Sequence, residues 1–468
     1  MFKSPPPPLP VPTQLPLAMN YQFSDRKNTL CSFFEDEITE EDASHSFPCL
    51  SNSSPLLHGN NSINPNISPP SVQSQTLESS WCRSPSLTPS HPSLFYCCIS
   101  SFHHGGTISS INISGNLVLT GSSSTRIHVW QSLDCHVKGY IQTSSGENRA
   151  MVAHGDMFFT SHKDHKLRIW NLRASSGDLK PRKVTTLPSS SHFNKYSCRP
   201  IVPQYKDIIS SMAYYHVERI LYTGSFDTTV KAWMLNERKC VDTFTAHANK
   251  ITDIVINQQS GCIFTSSFDG TVKMWSRPYV SHTLVNVLNF QTNAIYAMTL
   301  SVSPSESSIL YSGSSDGCIN FWMQYTPLKY NHGGFIEGHQ FAVLCLVALE
   351  NLVISGSEDA TIRIWRRDSG RFSHECLAVL EGHQRPVRCL APFLPKNAVG
   401  MRFLVYSASL DQMFKVWRVK VLQEMKNSSG THNNGDDDME EGNSSGYEAR
   451  TVLSPSWVEK KLQCHSLS

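Results

Sequence analysis

Between residues 92 and 421 the chain repeats an alternation of apolar and polar positions that ends each time on a tryptophan. The three residues before the tryptophan read apolar, polar, apolar, as in Ile127-His128-Val129. This alternation has the period of a β-strand, whose successive side chains point to opposite faces. The tryptophans stand at positions 130, 170, 233, 275, 322, 365 and 417, which is 40 to 63 residues apart. Spacing of this kind predicts an all-β, seven-bladed β-propeller, with one blade for each copy.

The repeat also includes two polar positions ahead of each tryptophan. A serine or threonine lies ten residues before it in all seven copies, and an aspartate lies six residues before it in six; Ser124 takes that place in the first copy. Aspartate is a preferred residue of tight turns, because its side chain bonds to nearby backbone. Each copy therefore predicts a β-hairpin with the hydroxyl on one strand, the aspartate in the turn and the tryptophan on the next strand. The six aspartates are Asp164, Asp227, Asp269, Asp316, Asp359 and Asp411.

A histidine after a small residue precedes three of the copies, at Ala246-His247, Gly338-His339 and Gly382-His383. Together with the hydroxyl, aspartate and tryptophan positions, these dipeptides resemble the WD40 repeat family across residues 92–421. Segments 221–233, 352–365 and 452–462 resemble more narrowly the plant WD40 proteins of the JINGUBANG-like group. The resemblance implies hydrogen-bonded sets inside three blades, namely Thr265, His247, Asp269 and Trp275; Ser355, His339, Asp359 and Trp365; and Ser407, His383, Asp411 and Trp417.

Blades 2, 3 and 5 lack the Gly-His dipeptide, and blade 1 lacks the turn aspartate. We expect these blades to contain less of the buried polar network.

Serine, histidine and aspartate also form catalytic triads, so catalysis is the alternative interpretation of these sets. An active site has no reason to recur at fixed spacing in three blades, which favours a structural role. We expect no catalytic residue. The sequence has neither a glycine-rich phosphate loop nor metal-ligand spacing among its 14 cysteines, and we expect no metal and no cofactor.

Composition divides the chain into three parts. Residues 1–91 and 422–468 each carry a net charge of −4, which leaves +10 on the middle. Fifteen of the 26 prolines lie in the first 92 residues, and polar, acidic sequence of this kind cannot bury enough apolar surface to fold. We expect disordered acidic tails at 1–91 and 422–468 around a propeller at 92–421. The sequence contains no stretch of about 18 apolar residues, so we expect no membrane span. The unpaired cysteines favour a location in the cytoplasm or nucleus.

The last blade lacks an outer strand, because the sequence after Trp417 soon becomes polar. Residues 93–100 form a strand-like segment before the first repeat, and we expect them to complete blade 7 and close the ring.

The long gap between Trp170 and Trp233 predicts a surface insertion around 189–200. Its basic residues are sparse, so direct nucleic-acid binding is not expected.

Loops on a rigid scaffold are where recognition concentrates. The residue before each turn aspartate should project from one ring face, and Phe226 and Phe268 do so in adjacent blades. Both rings could instead fold inward over the turn. We expect binding of other proteins, in multisubunit complexes, through a patch that comprises Phe226, Phe268, Lys163, Lys250, Glu358, Gln384 and Arg385.

The leading functional hypothesis is a non-enzymatic scaffold or regulatory adaptor. A substrate receptor of a cullin-type ubiquitin ligase is the alternative, because residues 158–173 resemble the adaptor-binding box of such receptors, with Arg173 as its contact. An enzyme with an active site in the channel is the alternative from another class.

Overall fold

Each alternating segment of the sequence forms a strand of an antiparallel sheet, and seven such sheets follow one another along the chain in a computed structural model. The structure describes residues 94–422 except for gaps at 144–145, 173, 176–177, 180, 189–203, 280, 290–291, 303–306, 369–372 and 396–400. It also describes the backbone of Ser74–Gln75 and Cys82–Arg83.

From the inner strand outward, the bounds are as follows: blade 1, Ile108–Ser114, Leu117–Ser122, Arg126–Gln131 and Val137–Gln142; blade 2, Asn148–His154, Met157–His162, Leu167–Asn171 and Arg182–Leu187; blade 3, Ile209–Tyr215, Ile220–Ser225, Thr229–Met234 and Lys239–Thr245; blade 4, Ile251–Ile256, Ile263–Ser267, Val272–Ser276 and Thr283–Leu288; blade 5, Ile295–Ser301, Ile309–Ser314, Ile319–Thr326 and Lys329–Ile336; blade 6, Val343–Leu349, Leu352–Ser357, Ile362–Arg367 and His374–Leu380; blade 7, Val387–Phe393, Met401–Ser409, Met413–Val421 and Leu94–His103.

The inner strands of neighbouring blades contact each other in a closed cycle, and blade 7 contacts blade 1. The molecule is therefore a seven-bladed β-propeller, as the spacing of the tryptophans predicts. A short hairpin, Ala174–Ser175 with Asp178–Leu179, lies between the third and outer strands of blade 2. No helix in the described residues is long and apolar enough to cross a membrane.

The outer strand of blade 7 comes from the part of the sequence that precedes blade 1. Leu94–His103 pairs antiparallel with Met413–Val421, from Leu94 opposite Val421 to His103 opposite Met413. The expected closure by residues 93–100 is confirmed, and the strand continues to His103.

Ser74–Gln75 and Cys82–Arg83 pair with the far side of this closing strand. These four residues fall inside the predicted N-terminal tail. The rest of 1–91, residues 423–468 and the predicted insertion at 189–200 lie outside the described residues.

The second strand of each blade is the most deeply buried, because it has neighbours on both sides and a blade on each face. All six residues of Ile220–Ser225 and of Leu352–Ser357 are buried. Apolar side chains fill the spaces between adjacent blades, and tyrosines add polar links there. The hydroxyl of Tyr311 in blade 5, for example, lies 2.9 Å from Nε2 of His374 in blade 6.

Candidate functional site

Three blades contain a complete chain of polar side chains behind the tryptophan. In blade 6, Trp365 Nε1 donates to Ser355 Oγ at 2.9 Å, and that hydroxyl lies 2.7 Å from His339 Nε2. The other ring nitrogen, Nδ1, lies 2.8 Å from Asp359 Oδ2. If Nδ1–H donates to the carboxylate, Nε2 accepts from the hydroxyl, and every polar atom is satisfied. The same contacts join Trp275, Thr265, His247 and Asp269 in blade 4, and Trp417, Ser407, His383 and Asp411 in blade 7.

The glycine of the Gly-His dipeptide lets the loop pass closely over the tryptophan ring. A Cβ at Gly338 would lie 2.6 Å from Trp365 Cη2, which is closer than two non-bonded carbon atoms can approach. A side chain at residue 338 would therefore collide with Trp365 in blade 6, whereas Ala246 holds the equivalent place beside His247 in blade 4.

The aspartate has a second, local role in the turn. Asp359 Oδ1 accepts from the backbone N–H of Thr361 at 2.9 Å, and Ala360 between them has a φ of 66°. A positive φ is strained for residues other than glycine, and a side-chain bond across the turn holds it in place. The aspartate therefore shapes the turn with one oxygen and contacts the histidine with the other. This local bond recurs from Asp164, Asp227, Asp269, Asp316 and Asp411.

Burial and pairing set the charges of the polar set in blade 6. Burial lowers the pKa of His339, although Asp359 opposes the shift. Burial alone would raise the pKa of Asp359, but hydrogen bonds from His339 and Thr361 outweigh it, and the pKa lies well below its usual range. The histidine is thus neutral and the aspartate charged at neutral pH. The hydroxyls of Thr265, Ser355 and Ser407 belong to residues with 0% exposure, so they can anchor a hairpin but cannot reach a substrate in solution.

The expectation of a weaker network is wrong for blades 2 and 3, where other residues take the place of the missing histidine. In blade 2, His162 Nε2 lies 2.8 Å from Thr160 Oγ1, which also accepts from Trp170 Nε1 at 2.9 Å. In blade 3, the hydroxyls of Tyr205 and Thr223 lie 2.5 Å apart. Asp164 of blade 2 pairs with Arg168 at 2.6 Å rather than with a histidine.

Blades 1 and 5 differ from these. His104 Nε2 in blade 1 lies 3.2 Å from Thr120 Oγ1 and 2.6 Å from His128 Nδ1. His104 Nδ1, the nitrogen that contacts an aspartate in the complete sets, is buried without a hydrogen-bond partner, so blade 1 also has the weaker network that the sequence predicts. Burial and the neighbouring His128 lower the pKa of His104 to about 3. In blade 5, Ser312 Oγ is buried without a hydrogen-bond partner, and here the expectation of a weaker network holds.

The turns between second and third strands and the loops before the inner strands form one face of the ring, which we call the turn face. The residue before each turn aspartate, or before Ser124 in blade 1, donates its backbone N–H to the loop before the inner strand of the same blade. This bond fixes the position of every turn. The donors are Ser123, Lys163, Phe226, Phe268, Ser315, Glu358 and Leu410.

Phe226 and Phe268 lie together on the turn face at the boundary of blades 3 and 4. Their ring centroids are 6.4 Å apart, and the Lys250 Nζ lies 5.1 Å from the centroid of Phe226. Phe268 in turn meets the edge of Tyr296 of blade 5 at 5.2 Å. Both phenylalanines are half-buried, so the rings are neither fully inward nor fully exposed. We call Phe226, Phe268, Tyr296 and Lys250 the aromatic cluster.

Tyr296 does not belong to a turn, and the sequence pattern of the turns therefore does not predict it as a member of the cluster. Each inner strand contains a β-bulge near its start, at the end of the strand that adjoins the turn face. Tyr296 is the extra residue in blade 5, between Ile295 and Ala297. The others are Ser109, Arg149, Ser210, Thr252, Leu344 and Arg388.

The remaining residues expected in the patch lie on the turn face but in other blades. Lys163 is in blade 2, Glu358 in blade 6, and Gln384 and Arg385 are in blade 7, and all four are exposed. The structure thus brings Phe226, Phe268 and Lys250 together and spreads the other four around the ring. Arg173, the expected ligase contact, lies outside the described residues.

Cysteines and carboxylates elsewhere on the inner strands serve as links between blades. Asp253 of blade 4 accepts from Ser211 Oγ of blade 3 at 2.9 Å and from the Met298 N–H of blade 5 at 2.8 Å. Burial raises the pKa of Asp253 to about 6 despite these bonds. Within the described residues, no group of three or more His, Cys, Asp or Glu side chains could hold a metal ion.

Comparison with known proteins agrees with this geometry. Four segments, 238–276, 282–323, 331–366 and 374–418, match the WD40 family, described as WD domain, G-beta repeat. Each match runs from the outer strand of one blade to the third strand of the next, so the matched repeats cover blades 4 to 7.

Three relatives illustrate the similarity. A stretch of 116 residues, 24% of the chain, is 32% identical to the Telomerase protein component 1 of Rattus norvegicus and spans 4% of that protein. Another, of 127 residues, is 29% identical to the Ribosome biogenesis protein WDR12 homolog of Anopheles gambiae and covers 26% of this chain and 27% of the relative. The WD repeat-containing protein pop2 of Schizosaccharomyces pombe is 26% identical over 166 residues, which are 36% of this chain and 21% of pop2. The chain therefore aligns with about a quarter or less of these curated relatives. The matched segments and the WD-repeat relatives together support the WD40 repeat family as the family of this chain.

Proposed function

We propose that this protein is a non-enzymatic interaction scaffold that binds partner proteins on its turn face, with the aromatic cluster as the main contact. The observation that carries the proposal is the arrangement of Phe226, Phe268 and Tyr296 on three adjacent blades. Aromatic rings that are partly exposed on a surface are frequent hot spots of protein interfaces, and turns fixed by backbone bonds lose little entropy on binding.

The buried polar sets support a structural role rather than catalysis. Their hydroxyls have no solvent exposure, and substitutes such as His162 and Tyr205 maintain the same hydroxyl contacts in blades that lack the dipeptide. We propose that these sets hold the turns, and that the turns present the binding residues. WD40 propellers generally mediate protein interactions, which agrees with this division of roles.

The similar proteins favour the hypothesis that this chain acts as a subunit of protein complexes. Two of them are named as a telomerase protein component and as a ribosome biogenesis protein. We propose a nuclear or cytoplasmic location and multisubunit partners for this chain. The narrower resemblance to the plant JINGUBANG-like group and the tails at 1–91 and 422–468 remain predictions from the sequence.

Affinity purification of the intact chain beside a Phe226→Ala/Phe268→Ala variant tests the proposal. We expect partners to be lost from the double variant and retained by Tyr140→Ala, which removes an exposed aromatic ring from the outer strand of blade 1. Circular dichroism should show that all three proteins melt as folded domains. Equal recovery of partners by the folded double variant would show that the turn face does not bind through this cluster.

A further inference from the structure

Exposed apolar side chains are concentrated in one sector of the ring, formed by blades 4 and 5. Among the described residues, seven of the twelve large apolar side chains that are exposed lie between positions 279 and 328. They belong to blades 4 and 5, whose outer strands contact each other. The seven are Tyr279, Leu284, Val285, Val287, Val302, Tyr325 and Leu328. A concentration of large exposed apolar side chains in one part of a protein surface indicates an interaction site.

The centre of this sector is the outer strand of blade 4, Thr283–Leu288. Leu284 is 47% exposed, Val285 36% and Val287 41%. No described strand pairs with its outer edge, so one side of its backbone has N–H and C=O groups free for another strand.

The outer strands of the other blades are protected in two ways. Those of blades 1, 2, 3, 5 and 6 each contain at least one charged residue, such as Lys138 or Glu375, and charge on an edge opposes pairing. Leu94–His103 of blade 7 has no charged residue, but Ser74–Gln75 and Cys82–Arg83 cover its edge. Thr283–Leu288 has no charged residue and no described strand over it.

We propose that two copies of this chain associate through antiparallel pairing of their Thr283–Leu288 strands. A second copy offers an edge of identical chemistry, without charge on either side of the contact. Pairing about a twofold axis uses both edges at once, so it ends at a dimer instead of growing into a fibre.

The β-bulge in Thr283–Leu288 indicates where the twofold axis of the dimer would pass. Val285 is the extra residue, since Leu284 pairs with Trp275 and Asn286 with Met274. In blade 7 the two covering strands lie on either side of the equivalent bulge, between Cys98 and Ser100. A twofold axis at Val285 would likewise set Thr283–Leu284 of one copy opposite Asn286–Val287 of the other. The two Val285 side chains would then meet.

Charged groups close to this strand have partners of their own. Asp242 accepts from the backbone N–H of His282, and Lys273 Nζ donates to the Ala246 carbonyl. Arg277 pairs with Glu218, and Lys329 Nζ lies 5.6 Å from the ring centroid of Tyr325. Tyr325 and Leu328, in the hairpin of blade 5, would extend the apolar contact beyond the paired strands.

Light scattering coupled to size-exclusion chromatography of the full chain tests the proposal. We expect wild type to have twice the mass of one chain, with dissociation on dilution. Val285→Lys should be a monomer, because two ammonium groups would face each other at the axis. Val184→Lys, a substitution at the equivalent bulge of blade 2 where the valine is 44% exposed, should remain a dimer.

A charge-swap mixture makes the test specific for this pairing. Val285→Glu should be monomeric alone, and mixing it with Val285→Lys should restore the dimer. A monomeric wild type at its highest soluble concentration would overturn the proposal. So would a dimeric Val285→Lys protein, or a mixture that stays monomeric.

Discussion

At the scale of the residue, the position that unifies the seven blades is the hydroxyl ten residues before the tryptophan. Six of these hydroxyls accept the indole N–H at 2.9 to 3.0 Å. The residue on the other side of the hydroxyl varies: histidine from the preceding loop, histidine from the same strand in blade 2, or Tyr205 in blade 3. In these six blades the buried hydroxyl and the indole each have a partner, and the chemistry of the hydroxyl's second partner changes from blade to blade.

The contrast between blades 5 and 6 gives a matched pair of substitutions. Ser355→Ala should lower the free energy of unfolding by about 1–3 kcal/mol, because it leaves buried groups of Trp365 and His339 unpaired. Ser312→Ala at the same place in blade 5 should have almost no effect or be slightly stabilising, since Ser312 Oγ has no partner to lose. Chemical denaturation of both variants measures the difference. Equal losses would contradict a role for the polar set.

His162 makes stability depend on pH. Burial, with Arg168 nearby, lowers its pKa to about 4, whereas an unfolded histidine titrates near 6.5. Between these values the unfolded chain binds a proton at this position that the folded chain does not. The free energy of unfolding therefore falls as pH falls from about 6.5 to about 4.

The variant His162→Gln should lessen this dependence. Glutamine can still bond to Thr160 but does not titrate, so unfolding should be linked to about one proton fewer in that range. Denaturant titrations at pH 7, 6 and 5 measure the change. An unchanged slope would mean that His162 titrates alike in the folded and the unfolded protein.

At the scale of the element, the sequence predicts the hairpins well because their signals are local. Alternation before Trp365, the turn at Asp359 and the hydroxyl at Ser355 all lie within a few residues, and the strands form there. Tyr205 and Tyr296 could not be predicted in the same way. Tyr205 reaches Thr223 across 18 residues, and Tyr296 reaches the cluster only because neighbouring blades stack side by side.

The closing strand is an element whose packing can be tested directly. Phe102 is buried between blades 7 and 1, with its ring centroid 5.1 Å from that of Trp130 and 6.2 Å from that of Phe414. Phe102→Ala should reduce the free energy of unfolding by about 3–5 kcal/mol through lost contacts and a residual cavity. Phe341→Ala removes the same ring where it is 57% exposed and should have little effect on thermal unfolding. A small effect of Phe102→Ala would argue against tight closure.

At the scale of the whole molecule, the number of blades and the closure of the ring follow from the sequence, because seven repeats and one spare strand leave few arrangements. The binding surface follows only in part. Phe226, Phe268 and Lys250 do come together, whereas Lys163, Glu358, Gln384 and Arg385 are spread over blades 2, 6 and 7. Which turns become neighbours around the ring depends on the assembled fold, and the residues of a single turn do not determine it.

The first and last strands of the propeller lie side by side, and Leu94 at the start of one pairs with Val421 at the end of the other, as in a hairpin whose turn is missing. A circularly permuted gene could supply that turn by joining residue 421 to residue 94 with a short Asn-Gly link and by opening the chain after residue 104. Blade 7 would then be continuous in sequence, like its six neighbours. Such a permutant should fold, and new fusion points would become available at the junction between blades 7 and 1.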